Sequence, residues 1–269
     1  MQRSTSSAVA STSQLTLDRL DSKEIDYARF CEVYLKGNRP CIFSPALVSG
    51  WSALVDWKSC DEGQCDNKAD DQIAANASTT FDRLAACYAD HVAPVVIGFE
   101  EERREMSLPD AVKLVKEGHH SVYIKDWHFV RQESTLRPQN QSRPPYGVPD
   151  FFADDWMNNR TSEVEDDFRF CYAGTAGTRT NIHRDVYTSY SWSTNVLGKK
   201  LWRLFPPETK THLRKYPSVS TSELASSVDQ MQVLAAQGKL GHVKDGKEGW
   251  PEWSSAFENC IEVIQEVSH

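Results

Sequence analysis

The residues best suited to chemistry lie in the run Thr180-Asn181-Ile182-His183-Arg184-Asp185. Residues two apart on a β-strand point to the same face, so on a strand His183 and Asp185 would reach one metal ion together. An imidazole plus a carboxylate makes two-thirds of the facial triad that holds non-haem iron(II) and leaves positions open for other ligands. The third ligand of such a triad is a second histidine from a distant strand. His-x-Asp alone is a weak signal, and its neighbours strengthen it. Lys200 follows the turn at Gly198 and precedes Trp202 and Phe205-Pro206-Pro207. An ammonium turned into a barrel needs a counter-charge, because burying it unpaired is costly. The distal carboxylate of 2-oxoglutarate would supply that charge, and Thr180 would donate a hydrogen bond to the same group.

Each residue also has a plainer reading. Tyr172, Trp192 and Trp202 are aromatics on expected strands, and most such residues are core. Lys199 and Lys200 together read as a solvated turn, and Thr180 as a β-former. His119-His120 falls just past a helix, on the surface, and His128 in Asp-Trp-His reads as a hydrogen-bonded structural residue. One by one the plainer readings win. Taken jointly, at these spacings, the functional reading wins for His183, Asp185 and Lys200.

The elements that must position these groups follow from periodicity. Asp21 to Lys36 has helical spacing of apolar residues, with Ser22 as a cap and Gly37 as a stop. Arg39 to Phe43 is a short strand entered through proline, and Ser59 to Asp71 is a polar loop. Pro94 to Phe99 is β-rich. A helix opens at Ser107 with Pro109 in its first turn and ends at Gly118. Val122-Tyr123-Ile124 is a strand, Glu133 to Tyr146 a long loop, and Val148 to Asn159 a helix. After Glu163 short strands take over: Phe168 to Gly174, Thr180 to Asp185, Tyr187 to Leu197 and Lys200 to Phe205. Glu208 to Asp245 is helix and loop, and Ile261 to Ile264 a final strand. Many short strands separated by turns predict a jelly roll.

Composition narrows the class. The 269 residues are 39% hydrophobic and 25% charged, an ordinary globular balance able to bury a core without disulfides. The seven cysteines are scattered and lack zinc-finger spacing, which reads as reduced thiols in the cytoplasm or nucleus. A net charge of −8 with no dense Lys/Arg run argues against a nucleic-acid partner. No apolar run is long enough to span a bilayer. Residues 1–16 read as a disordered leader rather than a mitochondrial presequence.

Two stretches carry a family resemblance. Phe168 to Asp185 reads F-R-F-C-Y-A-G-T-A-G-T-R-T-N-I-H-R-D, and Ser191 to Pro207 reads S-W-S-T-N-V-L-G-K-K-L-W-R-L-F-P-P. Together they resemble the core of the JmjC iron(II)/2-oxoglutarate hydroxylases. Tyr123 to His128 and Val148 to Trp156 extend the likeness, and more weakly Asn38 to Pro40 and Trp51 to Trp57 do too. The resemblance implies a double-stranded β-helix (a cupin-like jelly roll) with N-terminal helices. Residues 17–269 would form one domain, with a mixed layer over 17–160 and an incomplete jelly-roll core over 161–269.

It also implies residue roles. His183 and Asp185 would bind iron. Lys200 would pair with the distal carboxylate of 2-oxoglutarate, helped by Thr180 and Tyr123. Ser193 stands where many relatives place an asparagine near the co-substrate, and Asn195, on the same strand face, would compensate. Tyr172 would line the substrate channel. Aspartate rather than glutamate in the metal motif is the form commoner among hydroxylases than among demethylases of the superfamily. The implied activity is hydroxylation of a protein side chain, in the nearest branch a lysine of the translation termination factor. The alternatives are a non-catalytic cupin-like binding module and a JmjC lysine demethylase.

In the family, a strand like Ile261 to Glu266 leads to a Gly-Glu turn and an apolar strand ending in Pro-x-Gly-Trp-x-His, which carries the third ligand. The sequence here reads Val267-Ser268-His269 after that strand, and His212, His242 and His269 all lack the expected context. The expectation is two protein ligands, weaker iron binding, an open sheet edge and a chain unstable or inactive as a hydroxylase.

Overall fold

The structure is a computed structural model describing residues 17–57, 80–98, 103–119, 121–138, 144–158, 168–213, 224, 227–237 and 260–266. The expected leader, the loop over Ser59 to Asp71, and His242 and His269 lie outside these residues. The chain divides into two compact units. One gathers residues 17–44, 181–189 and 199–265, and the other gathers 45–180 and 190–198.

The second unit is built on a four-stranded antiparallel sheet in the order β4-β3-β5-β6. Its strands are β3 (Val92–Ile97), β4 (Arg103–Ser107), β5 (Val122–Trp127) and β6 (Cys171–Gly174). The helices of this unit are α2 (Ala53–Asp56), α3 (Thr80–Cys87), α4 (Leu108–Lys116) and α5 (Phe129–Leu136). Helix α4 forms as its caps dictate. The Ser107 side chain accepts from the Asp110 N–H, Pro109 fills the first turn, and Gly118 stops the helix at a φ of 91° that a side chain would resist. The core joins Leu84, Val95, Leu108, Ala111, Ile124, Trp127 and Phe129. Burying Trp127 and Phe129 alone is worth several kcal/mol, at roughly 25 cal/mol per Å² of apolar surface.

His91, fully buried, sits among the rings of Tyr88, Trp127 and Phe129. Its Nε2 lies 2.9 Å from Glu133 Oε1, and Arg137 ties Glu133 to Asp90. Burial holds the His91 pKa below the ordinary histidine value against the opposing pull of Glu133.

The first unit holds β1 (Asp18–Leu20) parallel to β2 (Cys41–Phe43), the helix α1 (Tyr27–Phe30) running into a π-helical turn Cys31–Leu35, and α6 (Val228–Ala236). It also holds β7 (Lys199–Leu204) paired with β8 (Ile261–Glu266). Asp18 accepts from Tyr34 Oη at 3.0 Å and from Arg39 Nη2 at 2.8 Å, tying helix to strand.

Several expectations are corrected. The first helix starts at Tyr27, capped by Asp26 rather than Ser22, because the Asp26 carboxylate accepts the Arg29 N–H at 2.7 Å. Glu133 to Leu136 is helical rather than loop, held by the i,i+4 pair Glu133–Arg137 and a buried Phe129. The helix expected over Val148 to Asn159 shrinks to the 3-10 turn Asp150–Phe152, and Trp156 is 83% exposed. Neither Thr180 to Asp185 nor Tyr187 to Leu197 forms a strand. A 3-10 turn, Val186–Thr188, follows the first stretch and takes in the first two residues of the second. The described strands are mainly antiparallel, as a jelly roll requires, but close no barrel. No described helix is long and apolar enough to cross a membrane.

Candidate functional site

His183 and Asp185 lie on irregular backbone, so the pleat does not aim them. Local hydrogen bonds do. His183 Nδ1 donates to the Asn181 carbonyl at 2.7 Å, which leaves the Nε2 lone pair outward. Asp185 has extended backbone at φ −60°, ψ 148°, and its carbonyl accepts the Thr188 N–H. His183 Nε2 and Asp185 Oδ1 come to rest 3.3 Å apart. Two neighbouring ligands each about 2.1 Å from one metal ion stand roughly 3 Å apart, so the pair suits a shared cation. Their side chains are 57% and 39% exposed, which leaves the remaining faces of such an ion accessible. Among the described residues, no third His, Cys, Asp or Glu joins them in a metal-holding cluster.

The chain leaves Asp185 through two left-handed residues, Tyr187 and Thr188, each at a φ of 55°. For a β-branched threonine this conformation is costly, and such strain gathers at functional sites.

Lys200 lies on β7, where exposure alternates and Lys200, Trp202 and Leu204 share the less exposed face. Its Nζ rests 3.9 Å from the centre of the Trp202 ring. The neighbour expected for this ammonium was a carboxylate in a barrel. On the sheet β7–β8 it also has the face of an indole, a favourable cation–π contact. Burial lowers the Lys200 pKa. Trp202 is itself fixed, its Nε1–H donating to Gln265 Oε1 at 2.9 Å.

In the other unit, Tyr123 Oη and Thr180 Oγ1 are 3.1 Å apart, so two of the expected co-substrate contacts form one polar edge. Burial is the main cause that raises the Tyr123 pKa and keeps its phenol protonated. Tyr172 stacks obliquely on Tyr123 with ring centres 6.2 Å apart. Ser193 and Asn195 share no strand face, because their segment pairs with none. Asn195 Nδ2 instead donates to the Gly198 carbonyl at 2.8 Å and braces the turn before β7. Trp192, between Trp51 and Phe152, packs as the plainer reading has it. His128 starts α5 and meets the Phe170 ring edge-on.

Two residues escaped the sequence reading. Asn181 orients His183 through its backbone carbonyl, which no side-chain pattern reveals. Asp126 accepts the Tyr172 hydroxyl at 2.8 Å, and only its place in the Asp-Trp-His run hinted at a role.

A cupin-like domain matches residues 27–264, and the chain belongs to that family. It is 33% identical over 202 residues to the 2-oxoglutarate and iron-dependent oxygenase JMJD4 of Homo sapiens, covering 70% of this chain and 43% of that protein. Its Danio rerio counterpart is 29% identical over 80% of this chain and 49% of the relative. The arginine-specific demethylase JMJ20 of Arabidopsis thaliana is 31% identical over 73% of this chain and 43% of the relative. The JmjC resemblance and the cupin-like fold read from the sequence are both borne out. The chain spans less than half the length of these relatives.

Proposed function

We propose that this chain belongs to an iron(II)- and 2-oxoglutarate-dependent oxygenase that hydroxylates a protein side chain, a lysine of the translation termination factor, in the cytoplasm or nucleus. The observation that carries the reading is the 3.3 Å approach of His183 Nε2 to Asp185 Oδ1, with Nδ1 tied back to Asn181. The names of the JMJD4 relatives support it.

His183 and Asp185 would hold the metal. When bound, iron(II) with 2-oxoglutarate supplies the oxidising power to insert one oxygen atom of O₂ into a C–H bond. The chain's own residues bind and orient. By the family resemblance the Lys200 ammonium would attract the distal carboxylate of 2-oxoglutarate, and Thr180 and Tyr123 would serve as hydroxyl donors. Tyr172, 44% exposed, presents an aromatic face to the substrate chain.

The test incubates the protein with iron(II), 2-oxoglutarate and a termination-factor peptide carrying unmethylated lysine. Hydroxylation is read as a mass gain of one oxygen on the lysine with matching succinate. It is expected to be slow in a chain whose described residues bring only His183 and Asp185 to the metal. Robust turnover would overturn the expectation of a weakened or inactive chain. Stoichiometric iron binding with no product from any peptide would overturn the enzymatic reading, and no iron binding at all would support a non-catalytic binding module. N-demethylation is a second reading, favoured by the name of the Arabidopsis relative. Formaldehyde released from a methylated lysine or arginine peptide would select it.

A further inference from the structure

We propose that Asp126 is a positioning residue: held on a β-bulge, it fixes the Tyr172 phenol and, through that ring, the seat of Tyr123 beside Thr180. The inference rests on reading Tyr123 and Thr180 as co-substrate contacts.

The bulge is explicit in the strand register. Tyr123 pairs with Gly174 and Ile124 with Ala173, but the next pair is Trp127 with Cys171. Lys125 and Asp126 therefore both stand opposite Tyr172. The inward-facing series shifts phase with them, from Val122 and Ile124 to Trp127. An extra residue of this kind bends a strand and re-aims a side chain. Asp126 also takes a left-handed φ of 58°, a conformation aspartate tolerates better than most residues.

The carboxylate uses both oxygens. Oδ1 accepts the Tyr172 hydroxyl at 2.8 Å, and Oδ2 meets Arg103 Nη1 at 2.5 Å. Arg103 comes from the far edge of the same sheet. Arg103, Val96, Tyr123 and Gly174 form one cross-strand row over all four strands. The row explains Gly174. A Cβ there would lie 3.0 Å from Tyr123 Cδ2 and 2.1 Å from Thr178 Oγ1. Tyr123 thus lies over bare backbone, flanked by Tyr172, with its hydroxyl at Thr180. Packing against Gly174 limits its height, and Tyr172 limits its sideways swing. Tyr172 is 44% exposed and needs an anchor of its own, which Asp126 supplies.

Tyr123 carrying a fluorine (3-fluorotyrosine at position 123 of the full chain) reads the seat directly by ¹⁹F NMR. Anaerobic calorimetry with iron(II) and 2-oxoglutarate reads the consequence. Asp126→Ala removes the acceptor and strains the bulge, Asp126→Gly removes the acceptor but suits the bulge, and Asp126→Asn keeps an oxygen for Tyr172. The expected result is a shifted or broadened fluorine line in the Ala and Gly variants. 2-Oxoglutarate should bind about tenfold more weakly in both, the lower range for loss of an outer supporting group. Asp126→Asn should return the line to the wild-type position and most of the affinity. A wild-type line in Asp126→Gly, or an Asp126→Asn variant as disturbed as Asp126→Ala, would overturn the proposal. If the unsubstituted protein takes up no 2-oxoglutarate, the co-substrate reading falls, and the fluorine lines alone decide the role of Asp126.

Discussion

Trp127 and Phe129 are each 1% exposed, closed in by Tyr88 and His91 and by the strands and helices of one sheet. His183 and Asp185 keep about half their side-chain surface in solvent and are held by bonds that span no more than three residues. The first region is fixed by burial, a sum of many small terms that no single hydrogen bond controls. The second is fixed by a tautomer, a turn and two left-handed residues, and a bound ligand would add much to its order. Damage to the two regions should therefore be read by different instruments.

The largest effect belongs to the buried cluster. Phe129→Ala should cost about 3–5 kcal/mol through the cavity it leaves, seen as a lower urea midpoint. A change under about 1 kcal/mol would show that the cluster is not the stabilising centre. His183→Ala or Asp185→Ala should do the reverse. Iron(II) affinity should fall by more than about a hundredfold, beyond the usual effect of losing an outer-shell partner. The melting temperature of the metal-free protein should stay within a degree or two. A large drop in that temperature would erase the distinction between the regions.

His91 sharpens the comparison through pH. Its folded pKa lies below the unfolded value of about 6.5, with burial the leading cause. The unfolded chain therefore takes up the proton first as pH falls. The stability contribution is complete above about 6.5 and declines below it. Glu133, Arg137, Asp90 and Tyr88 surround the ring and set how steep the decline is. Glu133→Gln removes the carboxylate that favours protonation, so it should lower stability by about 1–3 kcal/mol and steepen the acid side of a pH–stability curve. An unchanged curve would mean that His91 does not titrate with folding. The smallest effect is expected at Thr188→Gly. Relief of the left-handed strain should raise stability by about 1 kcal/mol and loosen Asp185, so that iron binds more weakly in a protein that melts higher.

The contrast also explains what the sequence revealed. Helix α4 was legible because Ser107, Pro109 and Gly118 are local signals acting on their own neighbours, and β3 and β5 were legible because buried strands concentrate apolar β-formers. Thr180 and Ile182 are β-formers as well, but a strand needs a partner ladder, and propensity alone does not supply one. The left-handed turn at Tyr187 and Thr188 is invisible for the same reason, since neither residue type announces a positive φ. Helix α5 was obscured by the polar run Glu133-Ser134-Thr135, whose anchors, Phe129 and Arg137, lie on either side. Chemical identity was easier to read than geometry. His183, Asp185 and Thr180 could be singled out as candidates from type and spacing and Tyr123 from the family resemblance, whereas the hydrogen bonds around them run through backbone carbonyls and a bulge.

The Lys200 ammonium resting on Trp202 has an optical consequence. An acidic N–H held against an indole quenches its fluorescence by passing a proton to the excited ring. Trp202 should therefore emit weakly while Nζ stays 3.9 Å from its centre and brighten when an anion draws the ammonium away. If Lys200 makes the carboxylate contact proposed for it, β7 would report that binding through its own tryptophan, separated from the other seven by comparison with Trp202→Phe.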